Sequence, residues 1–147
     1  MSYTNLLYHI VIRTKRSQRT IDEAYERELY AFILTYVKNR NSVLYRINGM
    51  PDHVHILVGL HPSVAISDFM RDLKTATSKM MKASRTKFPM FEGWESEYYA
   101  STVSRSHQEA VRQYIMCQKE HHKKANLRDE LIILCKKNGI SFNEEYI

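Results

Sequence analysis

The stretch Pro51-Asp52-His53-Val54-His55-Ile56-Leu57-Val58 constrains the fold of this chain more than any other. It reads as a short strand. Side chains in a strand alternate between faces, so Val54 and Ile56 point one way while His53 and His55 point the other. Two imidazoles placed side by side on a rigid backbone can grip one metal ion. They can equally be polar positions on the open face of a half-buried strand, and the strand by itself does not decide between these readings.

The elements around it describe a mixed fold. Leu6 to Ile12 is apolar and β-branched almost throughout, as a central strand buried on both faces would be. Arg13, Lys15, Arg16 and Arg19 follow with no acid among them, which reads as a solvated loop or as a phosphate contact. Thr20 with Glu23 has the spacing of a capping box, and Tyr25, Leu29, Phe32, Ile33, Tyr36 and Val37 recur at helical steps to about Arg40. Val43 to Ile47 reads as a second strand. Asn48-Gly49 then supplies a turn signal that would pair this strand antiparallel with the histidine strand. Gly59 to Ser63 ends the hairpin.

A long helix is expected from Val64 to about Thr86, with Ile66, Phe69, Met70, Leu73, Ala76, Met80 and Met81 on its apolar face. Arg71, Lys74, Ser78, Lys82 and Arg85 form a second stripe, either a solvated face or a nucleic-acid contact. Phe88 to Gly93 is a connection, and Trp94 to Val103 reads as a fourth, irregular strand. Glu92, Glu95 and Glu97 would keep phosphate away from that edge. Ser106 with Glu109 predicts another capped helix running to about Lys124. Asn126 can cap a last helix over 127–137, closed by Asn138-Gly139, with 140–147 as a tail laid on the body.

The 147 residues contain no internal repeat or convincing linker, so the reading is one domain over 1–147. The formal net charge of +6 favours a polyanionic partner, nucleic acid first. Apolar runs fall short of the roughly eighteen residues a membrane span needs. Residues 1–8 lack the pattern of a signal peptide, and Cys117 and Cys135 form no C-x-x-C pair. A reducing, cytoplasmic setting is expected.

Tyr114 and Gln118, four apart, share one face of the late helix, with His121 a turn further on. The Gln118 carbonyl oxygen can ligate a hard cation. A phenol, with an ordinary pKa of about 10, attacks poorly until its proton is accepted or its oxygen oriented.

The ordered set Tyr8-His9-Ile10-Val11, Thr14-Lys15-Arg16, Met50 to Val58, Ile66 to Lys74, and Tyr114-Ile115-Met116-Cys117-Gln118 followed by His121-His122 resembles the single-tyrosine HUH transposases of bacterial insertion sequences, the IS200-like group. The resemblance covers nearly the whole chain. It implies an α+β fold, a single RRM-like or ferredoxin-like antiparallel sheet with helices packed on one face, working as a homodimer whose active sites can be composite between subunits. It also implies a chemistry. His53, His55 and Gln118 would hold a divalent ion, Mg²⁺ or Mn²⁺, against the scissile phosphate. Tyr114 would attack the phosphorus, giving a 5′-phosphotyrosine and a free 3′-OH.

The substrate implied is single-stranded DNA bearing a hairpin, in a bacterial, nucleoid-associated setting. Arg13, Lys15, Arg16 and Arg19, with Arg71, Lys74, Lys82 and Arg85, are the expected phosphate contacts. His121 and His122 are auxiliary candidates for phosphate contact or proton handling. Asp52 is expected to point away from the metal face and to be structural. Two alternatives stand beside this reading: a domesticated enzyme that nicks and rejoins repeated hairpins, and a non-catalytic single-strand nucleic-acid-binding module.

Overall fold

The computed structural model describes residues 2–147. Four strands form one antiparallel sheet: β1 (Leu7–Arg13), β2 (Val43–Met50), β3 (His53–Gly59) and β4 (Tyr99–Thr102), in the order β2-β3-β1-β4. With α1 (Glu26–Lys38) between β1 and β2, and α2 (Ile66–Ala83) between β3 and β4, this is the split βαβ arrangement of a ferredoxin-like sheet. The α+β reading holds.

Strand alternation divides the residues between two packed layers. Ile10, Ile12, Val54, Ile56 and Val58 face α1 and α2, meeting Leu29, Ile33, Phe69, Met70 and Leu73 in the main core. Leu7, Val11 and Leu57 face the other way, where α3 (Gln108–Met116), α4 (Gln118–His121) and α5 (Leu127–Lys137) lie. Helices on one face therefore describe α1 and α2; the shorter C-terminal helices cover the second face. His53 and His55 look into that second layer and are fully buried by it.

The hairpin turn is not where the Asn-Gly signal placed it. Asn48 and Gly49 lie inside β2, opposite His55 and Val54, and Pro51-Asp52 makes the turn. Proline has no N–H to give a ladder, so it fits outside the paired residues. The turn is fixed by its carbonyls: Pro51 O accepts from the amides of Thr20 and Ile21 at 3.0 and 2.9 Å, and Asp52 O accepts from Thr14 N at 2.9 Å. Glycine is required at 49 for another reason. A Cβ there would lie 2.2 Å from the carbonyl oxygen of His53.

Other boundaries also move. Asp22 Oδ1 accepts from Ala24 N in a local turn, so α1 starts at Glu26 and the Thr20–Glu23 box does not form. Ser106 bonds within Ser104–His107 and Glu109 pairs with Arg112, so that box is absent too. α2 begins at Ile66 and ends at Ala83, inside the span expected. The fourth strand shrinks to Tyr99–Thr102, while Trp94 makes a lone bridge to Thr14. Asn126 does cap α5, its side chain accepting from Asp129 N at 2.9 Å, and Gly139 takes the left-handed conformation (φ 65°) that ends it.

The expected single helix to Lys124 breaks at Cys117 (φ −93°, ψ 17°) into α3 and α4. Both pieces dock on the β2 edge. Asn48 Nδ2 donates to Met116 O at 3.0 Å, and the Lys119 ammonium meets Glu26 at 2.9 Å and also Gly49 O. Among the described residues no helix is long and apolar enough to cross a membrane.

Candidate metal centre and nucleophile

Three elements deliver one buried polar cluster. β3 contributes His53 and His55, the α3–α4 segment contributes Tyr114, Gln118, His121 and His122, and α5 contributes Glu130. Glu130 is 2% exposed and stands at the centre. Its Oε1 lies 3.0 Å from His122 Nε2, 3.1 Å from His55 Nε2 and 3.4 Å from His53 Nε2. Its Oε2 accepts from the Tyr114 hydroxyl and from Gln118 Nε2 at 3.0 Å, with His121 Nε2 at 3.4 Å. The Gln118 carbonyl oxygen turns toward His53 Nε2 at 3.2 Å.

A second layer orients the imidazoles. His53 Nδ1 is 2.6 Å from Asp52 Oδ1, and His55 Nδ1 is 2.8 Å from His9 Nε2, with the His9 and His55 rings stacked at 5.1 Å. In both cases the bond on Nδ1 leaves Nε2 aimed at the cluster, as ligating histidines are held. Asp52 therefore does not point away. It sits in the turn, where strand alternation does not apply, and its carboxylate reaches back to His53.

The electrostatics follow from burial and from Glu130. Burial opposes charge on His53, but its bonds to Asp52 and Glu130 outweigh that and lift its pKa to about 9. Burial dominates at His55 and His9, pushing them down to about 4 and about 3. Burial alone would raise the Glu130 carboxyl, yet bonds from His122, His53 and His55 hold it far below the carboxylate range. Burial, then the bond to ionised Glu130, pushes the Tyr114 phenol well above its usual value.

This donor set fits a divalent ion. His53, His55, His122 and Glu130 can each offer one ligand atom, all within 4.8 Å of one another, and the Gln118 oxygen faces the same space. The expected ligands His53, His55 and Gln118 are thus brought together, beside Tyr114, within a single chain. His122, an auxiliary candidate, joins them at 6% side-chain exposure; His121 lies at the rim at 36%.

The basic residues are dispersed. Arg13 bonds the Tyr146 carbonyl, and Arg16 pairs with Glu92 at 3.4 Å on the acidic edge. Lys15 is exposed beside them in a 3-10 turn. Arg19 alone of these four lines a cleft of about 380 Å³ that reaches His122, shared with Asp52, Lys123 and Lys124. The α2 stripe lies on the layer opposite the histidines: Arg71 pairs with Asp68 and Asp72, Lys74 donates to Ser96 O, Arg85 donates to Phe91 O, and Lys82 is exposed.

Sequence reasoning missed Glu130 and the role of His9. The signal for Glu130 was present: Leu127, Leu131 and Cys135 make the buried stripe of α5, and Glu130 is a carboxylate set within it. His9 needed the strand register, which places it opposite Leu57 and diagonal to His55.

Comparisons with known proteins bear on the family and the fold. The profile described as IS200-like transposase matches residues 2–118. The ISDra2 transposase TnpA of Deinococcus radiodurans is 36% identical over 73 residues, 47% of this chain and 52% of that protein, so the match spans about half of that relative. The transposase for insertion sequence element IS200 of Salmonella typhimurium is 26% identical over 123 residues, 81% of this chain and 80% of that protein. A crystal structure from Deinococcus radiodurans R1, assigned as a transposase, superposes with a TM-score of 0.63 at 28% identity, covering 80% of this chain and 93% of that one. A REP-associated tyrosine transposase bound to a REP hairpin shares the fold, with a TM-score of 0.62 at 14% identity, covering 83% and 72%.

Proposed function

We propose that this chain, which belongs to the IS200-like transposase family, cuts and rejoins single-stranded DNA with Tyr114 as the nucleophile. The observation that carries the reading is the convergence of the Tyr114 hydroxyl, the Gln118 amide and three imidazole Nε2 atoms on one buried point.

In the cutting step the Tyr114 oxygen forms a bond to phosphorus while the bond from phosphorus to the 3′ oxygen breaks. As that bond forms Tyr114 gives up its proton, and the departing 3′ oxygen takes up a proton to become a 3′-OH; the bond to Glu130 orients the phenol. The 5′-phosphotyrosine keeps the energy of the broken ester, so another 3′-OH can displace Tyr114 and restore a DNA strand without ATP. His53, His55 and Gln118 would hold a divalent ion, Mg²⁺ or Mn²⁺, whose contribution when bound is to withdraw charge from the non-bridging phosphate oxygens. Asp52 and His9 keep the two imidazoles aimed. Arg19, Lys123 and Lys124 line the cleft by which a phosphate backbone would approach. The remaining cations expected to touch DNA, Arg13, Lys15, Arg16 and the α2 stripe, would act at longer range.

The substrate proposed is a hairpin-bearing single strand, and the working unit a homodimer, whose two tyrosines would serve two strand ends. A non-catalytic binding module would leave Tyr114, Gln118 and three histidines gathered around a buried carboxylate without a task. The test is incubation of the protein with end-labelled hairpin DNA and Mn²⁺ or Mg²⁺, followed by a denaturing gel. A covalent protein–DNA adduct is expected, absent in Tyr114→Phe and absent with chelator. An adduct that survives Tyr114→Phe would place the nucleophile elsewhere.

A further inference from the structure

Two of the groups converging at the centre, His122 and Glu130, lie beyond the stretch matched by the family profile, which ends at residue 118. We infer that Glu130 and His122 are metal ligands in their own right, turning the site into a His53–His55–His122–Glu130 centre that binds a borderline transition-metal dication before DNA arrives. The inference deepens the strand-cutting reading and rests on it for the purpose of the site.

The four donor atoms lie within 4.8 Å of one another, and the Glu130 oxygen already stands at the spacing of atoms that share an ion. Ligands about 2.1 Å from one tetrahedral ion lie roughly 3.4 Å apart, and somewhat closer around an octahedral one. Glu130 Oε1 stands 3.0, 3.1 and 3.4 Å from the three Nε2 atoms. An ion can therefore enter among these donors with small side-chain movements, replacing the hydrogen bonds that hold the cluster in its absence.

Charge points the same way. Two imidazoles and an amide form a neutral set, which leaves a dication to find its neutralising charge in the DNA phosphate. Glu130 supplies one negative charge from the protein itself. A carboxylate with three imidazoles suits Mn²⁺, Co²⁺ or Zn²⁺, whereas Mg²⁺ demands oxygen ligands and gives up water reluctantly. Second-layer support is already in place for His53 from Asp52 and for His55 from His9. Burial reinforces the site: His53 and His55 are 0% exposed and Glu130 2%.

The test is calorimetric titration of the full chain, without DNA, with MnCl₂, CoCl₂ and MgCl₂, together with the visible absorption of bound Co²⁺. Wild type should bind one Mn²⁺ or Co²⁺ more tightly than Mg²⁺. Glu130→Gln and His122→Ala should each weaken Mn²⁺ and Co²⁺ by more than about ten-fold and alter the Co²⁺ spectrum. Glu130→Asp, which keeps the charge but shortens the reach, should fall between; it also covers the case in which Glu130→Gln fails to fold. Binding in both Glu130 variants within about two-fold of wild type, or no binding by wild type without DNA, would overturn the assignment. Adduct formation on the gel is read separately, so strand cutting can stand while this ligand set falls, and the reverse.

Discussion

The Tyr114 hydroxyl donates to the carboxylate of Glu130, a residue on a different helix and sixteen positions further along the chain. The same carboxylate faces His53, His55 and His122 through its other oxygen. One side chain thus ties the proposed nucleophile to the imidazoles. Tyr114→Phe removes the proposed nucleophile and one hydrogen bond, leaving Glu130 its bond from Gln118. The variant should form no covalent adduct while losing only about 1–2 kcal/mol of stability in a urea melt. A loss large enough to unfold it would mean the tyrosine is chiefly structural.

In the proposed centre Asp52 would act on the ion through His53. Asp52→Asn removes the charge at the 2.6 Å contact to Nδ1 but leaves every donor at the centre in place. Metal affinity, measured by titration, should fall about 10–100-fold, with the fold unchanged by circular dichroism. Affinity equal to wild type would reduce Asp52 to a turn residue.

The metal-free protein should be most stable near pH 6.5. His53 has a folded pKa of about 9, above its unfolded value of about 6.5, so its contribution is full below that value and is lost as pH rises toward 9. His55 and His9, lowered to about 4 and about 3, resist protonation in the fold. The unfolded chain then binds more protons below 6.5, and stability falls as pH drops through that window. Thermal melts in chelator across this range should trace a bell. A curve that climbs steadily to pH 9 would contradict the His53 environment.

Gly49→Ala should destabilise by more than about 2 kcal/mol, because its Cβ would meet the His53 carbonyl at 2.2 Å and backbone cannot yield there cheaply. The melting temperature should drop by several degrees, and metal affinity should drop with it, since His53 is the residue displaced.

Much of this was legible in the chain because it depends on local pattern. Alternation put His53 and His55 on one face, helical spacing put Tyr114 and Gln118 on another, and Asn126 announced the start of α5. What was not legible depends on tertiary contact. Asn48-Gly49 carries a strong turn signal, yet Pro51-Asp52 makes the turn because its carbonyls are taken up by Thr14, Thr20 and Ile21 from a distant segment. The capping boxes failed where competing local bonds, such as Asp22 to Ala24, captured the backbone first. Glu130 was hidden because a single carboxylate in an apolar stripe gains meaning only when the imidazoles it meets are known.

β3 is a partition. One side of it is hydrocarbon, Val54 and Ile56 against α1 and α2; the other side carries His53 and His55. Because side chains alternate, a slip of one residue in its pairing would send both imidazoles into the oil and both aliphatics into the polar chamber. Folding and chemical competence therefore share a single alignment. A partly mispaired sheet would lose both together, and the same packing that rejects a wrong register also proofreads the site.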